Sequence, residues 1–124
     1  MYLPNIVNAR HVDTYMVGPL LVTVFTDCEA TGYVQYAHVL FVHVLDPQEP
    51  YMLPEPMFAV AAEISQFSNS GSHFLGVFPG HGHLNLGSSP DWADLSKFTQ
   101  RALQVVGEHF NINSKPVRLH NTDD

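Results

Sequence analysis

The sequence predicts an α+β fold: an antiparallel sheet of about five to six strands, laid out as a meander of hairpins and packed by one C-terminal amphipathic helix. Three observations predict it. From Ile6 to Gly87, β-branched and aromatic residues recur with period two. Glycine and proline turn signals interrupt that pattern at Gly18-Pro19, Glu29-Ala-Thr-Gly32 and Pro79-Gly-His-Gly82. Only the stretch from Pro90 to Phe110 carries apolar residues at helical spacing.

Taken in order, Asn8 to Val17 reads as a first strand, broken by Gly18-Pro19, and Leu20 to Asp27 as a second with apolar residues on both faces. Gly32 can take the positive φ of a tight hairpin, so the chain turns back into Tyr33 to Leu45. Alternation puts Val34, Tyr36, His38, Leu40, Val42 and Val44 on one face of that strand. Its other face carries Tyr33, Gln35, Ala37, Val39, Phe41, His43 and Leu45. Apolar residues on both faces predict a central strand. Pro47, Pro50, Pro54 and Pro56 fix φ and remove backbone donors, so Asp46 to Pro56 reads as a stiff loop. Met57 to Phe67 is ambiguous because its alanines favour a helix, but the long preceding strand needs a partner and strand is the preferred reading. After the Ser68–Ser72 loop, Phe74–Phe78 and His83–Gly87 form a last hairpin, which would oppose Val77 to Leu84 and Leu75 to Leu86.

The helix starts with Ser89 as N-cap, Pro90 in the first position, and Asp91 and Asp94 near the positive end of the helix dipole. On a helical wheel Trp92, Leu95, Phe98, Ala102, Leu103, Val105, Val106 and Phe110 gather within an arc of roughly 160°. That face is expected to lie on the sheet. Periodicity ends at Asn111, so residues 1–112 form the expected single domain and 113–124 a flexible tail.

Composition narrows the function classes. A chain of 124 residues is long enough for one core without disulfides, and its one cysteine, Cys28, has no internal partner. Residues 1–10 lack the basic start and apolar run of an export signal, and His43 with Asp46-Pro47 interrupts the longest apolar stretch, so a soluble cytoplasmic protein is expected. The net charge of −7, with five Lys plus Arg, argues against nucleic acid and anionic membrane partners. Only 14% of residues are charged and 45% are hydrophobic. A surface so poor in charge predicts a homodimer or larger assembly, in which a face is covered by another subunit.

The eight histidines are the other compositional feature. His73, His81 and His83 lie close in sequence, and the spacing in Pro79-Gly-His-Gly-His83 sends two imidazoles to one side if both are extended. With a further ligand from His38, His43 or a carboxylate they would form a site for a divalent metal such as zinc. On the same hairpin Phe74, Phe78, His83 and Asn85 share a face, an aromatic surface with two polar heads suited to a subunit contact or a small-molecule ligand. If it is a subunit contact, a charged residue at Phe78 should weaken self-association and leave the fold intact. Cys28 sits between Asp27 and Glu29, which would raise its pKa and leave it inert. Glu63 could face inward as a general acid or base, but on an alternating strand it is expected in solvent and receives no role. No phosphate-binding or dinucleotide-binding glycine pattern is present.

Two readings follow. One is a homo-oligomeric binding or structural module; the other is a small metal-dependent or histidine-based enzyme or ligand-binding domain built on His73, His81 and His83. No catalytic residue is assigned.

Overall fold

A computed structural model describes residues 3–32, 34–45, 48, 55–64 and 73–119 of the chain. Tyr33, most of the proline-rich loop, Ser65 to Phe67 and the Ser68–Ser72 loop lie outside the described residues. The strands are β1 (Ile6–Val17), β2 (Leu20–Ala30), β3 (Gln35–Val44), β4 (Phe58–Ile64), β5 (His73–Phe78), β6 (Leu84–Ser89) and β7 (Val117–Arg118). They form one antiparallel sheet in the order β6-β5-β4-β3-β2-β1-β7. The fold is the expected α+β arrangement with one C-terminal helix, α1 (Leu95–His109). Among the described residues that helix is not long and apolar enough to cross a membrane.

Each hairpin follows from its turn chemistry. Two residues, Gly18-Pro19, connect β1 to β2 and leave Val17 opposite Leu20. Gly32 takes the left-handed conformation expected of it, with φ +106. Met57 to Phe67 resolves to strand over Phe58–Ile64 because β3 on one side and β5 on the other supply ladder partners. Propensity yields to tertiary pairing there. The seventh strand, β7, arises inside the segment expected as a tail: Val117 pairs with Met16 and Arg118 with Tyr15, and the Arg118 guanidinium donates to Asp13 at 2.7 Å. Two residues carry no readable period, which is why the pattern does not reveal it.

The helix side of the sheet carries the larger core. Val22, Val24, Leu40, Val42, Phe58, Val60, Leu75 and Val77 meet Phe98, Ala102, Val105 and Val106 of α1. The amphipathic wheel therefore buries where expected. Its start differs in detail. Ser89 caps a 3-10 turn at Pro90–Ala93, accepting from the Asp91 N–H, whereas Asp94 is the N-cap of α1 and accepts from the Lys97 N–H at 3.0 Å. Buried His38 fixes this junction, bonding Thr26 Oγ1 through Nδ1 and the Ala93 carbonyl through Nε2, both at 2.9 Å.

The opposite face has its own cluster of Tyr36, Val39, Ala59, Ala61 and Phe78. Here the alternation expected for β3 fails. A register shift between Tyr36 and His38 moves Tyr36 onto the face of Val39, while Ala37 packs with the helix-side core. One extra residue in a strand exchanges the two faces beyond it.

Candidate functional site

The terminal hairpin brings together the side chains with the most chemical potential. In the β4-β5-β6 ladder, Ala59 opposes Phe78, Glu63 opposes Phe74, and Gly76 sits between Ala61 and Asn85. Side chains two apart share a face, so Glu63 and Phe78 project to the side away from α1 with Ala59 and Ala61. The central position of that row is Gly76. A Cβ built there would lie 2.0 Å from Glu63 Oε1 and 2.9 Å from His83 Nε2. The missing side chain is thus the space through which β4 and the β5–β6 turn make contact.

In that space the His83 Nε2–H donates to Glu63 Oε1 at 2.5 Å. The His83 ring lies almost parallel on Phe78, with centroids 4.6 Å apart and an interplanar angle of 16°. Tyr36 meets Phe78 edge-on from β3, at 6.4 Å. Glu63 is only 8% exposed. A carboxylate that leaves water is stable only with a good partner, and the imidazole is that partner. Chemically, a carboxylate that orients an imidazole is the arrangement that prepares histidine for proton transfer.

The expected site residues are distributed differently from their order in sequence. Phe78 is 1% exposed and belongs to the intramolecular cluster, so it is no surface anchor for a second subunit. Phe74 is half-buried, and Asn85 is exposed with its Oδ1 accepting from the Gly87 N–H at 2.8 Å. The three histidines separate. His73 shares the helix-side face with Leu75 and Val77, His81 lies in the exposed turn, and His83 is on the far face against Glu63. Strand alternation divides them, and among the described residues no group of three His, Cys, Asp or Glu side chains forms a metal-binding set. His38 and His43, the expected further ligands, are each bonded to a threonine hydroxyl of β2.

The expectation that Glu63 lies in solvent without a role is overturned by its burial. Alternation assigns it to solvent, and the only local signal of its burial is the alanine-rich strand around it, Phe58-Ala-Val-Ala-Ala-Glu63. Its partner, twenty residues away, is indicated by no spacing rule.

The Cys28 pKa is raised in the expected direction, but its main cause is burial, and of the two flanking carboxylates only Asp27 contributes. Burial, reinforced by Asp27 and opposed by a hydrogen bond with the Val39 backbone, pushes its thiol up to about 11. A raised pKa leaves little thiolate at neutral pH. The rate of alkylation by iodoacetamide should therefore keep rising about tenfold per pH unit past the ordinary thiol range, whereas a plateau at about pH 9 would mean an unperturbed thiol.

Compared with known proteins, the chain matches no family model, no curated protein and no solved structure.

Proposed function

We propose that the protein is a homo-oligomeric binding module that assembles through the outer edge of β6, which among the described residues pairs with β5 alone. The observation that carries this reading is the contrast between the two ends of the sheet. One end, β7, is two residues long and bears Arg118 beside nearby Lys115, features that discourage pairing. The other, β6, is six residues long, has no charged residue from Pro79 to Pro90, and exposes Leu84 and Leu86 at 56% and 47%. A strand edge carries unpaired N–H and C=O groups, and a second copy related by a two-fold axis across that edge satisfies them with an antiparallel strand of the same sequence. The two leucines then bury against their counterparts. The charged fraction of 14% fits a surface that is partly covered.

Leu84→Lys and Leu86→Lys place on this edge the residue that proteins commonly use to block pairing. Light scattering after size exclusion should show a dimer or larger species for the wild type and a monomer for either variant, with unchanged circular dichroism. A wild-type chain that stays monomeric at high concentration overturns the reading, as does an assembly that both lysines leave intact.

Histidine-based chemistry is the second reading, supported by the Glu63–His83 pair. It differs from the sequence expectation in its residues, with Glu63 as the orienting partner in place of His73 and His81. It does not require the β6 edge, so monomeric Leu84→Lys separates the two readings: catalysis at His83 would survive in it.

A further inference from the structure

We propose that the face of the sheet away from α1 carries a second site, a cavity beneath the first half of β1 that takes a small, neutral ring compound with one hydrogen-bonding group.

The cavity follows from irregular pairing. The β1–β2 ladder shifts register between Ile6 and Asn8, between Asn8 and Arg10, and between His11 and Asp13. Each shift bends the strand and adds twist. The N-terminal half of β1 stays paired with β2 through these shifts, and Leu3 and Ile6 pack on the Tyr36–Val39–Ala59–Ala61–Phe78 cluster. The space left is about 420 Å³, bounded by Ile6, Asn8 and Ala9 from this segment, by Pro56, and by Phe25 and Phe41 of the sheet. Ligand pockets commonly run from about 300 to 1,000 Å³.

Lining chemistry sets the ligand class. None of the described residues lining the cavity is charged, and the protein as a whole is strongly acidic, so an anion finds no counter-charge and a cation no local carboxylate. Phe25 and Phe41 meet edge to face, with centroids 5.9 Å apart, and both are only half-buried. A T-shaped pair offers one ring face and one ring edge together, the two surfaces on which a further ring stacks or abuts. On its other side Phe25 is held by the His11 ring at 5.5 Å, which orients it. Asn8 brings the one polar side chain among the described lining residues, with donor and acceptor in a single amide. The space is an open groove, with Val7 and Asn8 exposed at its rim, and an apolar groove with one orienting polar head suits a small ligand.

The cavity lies at β1, whereas the edge strand β6 is at the other end of the sheet. The two proposals are therefore independent.

The test uses N-phenyl-1-naphthylamine, a neutral probe whose naphthyl and phenyl groups are joined by one N–H and which becomes fluorescent in apolar surroundings. Wild-type protein should give a saturable rise with one probe per chain. Ala9→Phe, which fills the cavity, and Phe41→Leu, which removes a ring at nearly constant volume, should each weaken binding at least about tenfold. Leu84→Lys should bind as wild type. Amide shift changes in labelled wild-type protein, which require no variant, should centre on Ala9, Phe25 and Phe41. An absent or non-saturable signal, equal binding by all the variants, or shift changes centred on β6 would overturn the proposal.

Discussion

Phe78→Ala is expected to destabilise the protein by about 3–5 kcal/mol, the usual cost of removing a buried phenylalanine ring. Phe78 is 1% exposed, supports the His83 ring on one side and meets Tyr36 on another, so truncation opens a cavity and removes two ring contacts. A domain of ordinary stability has only about 5–15 kcal/mol to lose. Urea unfolding should show the midpoint fall sharply. A charged residue there should leave much of the chain unfolded, since a charge would replace an apolar side chain in a closed cluster. This corrects the expectation that such a substitution tests self-association with the fold intact. A Phe78→Ala midpoint close to wild type would mean that the far-face cluster contributes little, and the Glu63–His83 geometry would lose its support.

Gly76→Ala is expected to cost about 3 kcal/mol, the sum of overpacking and a lost charge-assisted hydrogen bond. Where alanine fits the backbone, this exchange usually stabilises by about 0.4–1 kcal/mol, because it restricts the unfolded chain. The sign reverses here because the added methyl would stand 2.0 Å from Glu63 Oε1 and 2.8 Å from its Cδ. Glu63 has to move, and its mostly buried carboxylate then leaves His83. A double-mutant cycle with Glu63→Gln isolates the cause: once the charge-assisted bond is weakened, Gly76→Ala should cost less than in the wild type. Strict additivity would place the damage in the β5 backbone rather than in the pair.

The hairpins between β1 and β2 and between β5 and β6 were legible because their turn residues are local, and Val77 opposes Leu84 as pairing across Pro79–Gly82 requires. Beyond that point legibility fails. A register shift between Phe74 and Gly76 sets Phe74 opposite Ser88, so the expected Leu75–Leu86 pair is displaced by the bulge and Leu86 stays exposed. The same limit applies at Tyr36 and along the first half of β1. A bulge is one residue of extra length with no compositional signature, yet it changes every facing assignment beyond it.

The candidate site was legible in half. His83 stood out by residue type and by the glycines around it, and Phe78 by its place on the same face. Glu63 did not, because its partner is brought to it by two strand pairings and by an absent side chain at Gly76.

Period and turn chemistry were enough for the fold class, the amphipathic face of α1 and the central place of β3, whereas the raised pKa of Cys28 comes first from burial and only second from the neighbouring Asp27. Pairing between distant segments put His73 and His83 on opposite faces, buried Glu63, formed β7 and, among the described residues, left β6 as the long edge strand. Period and propensity act over a few residues. Register, strand order and the space above a glycine are set by which distant segments pair.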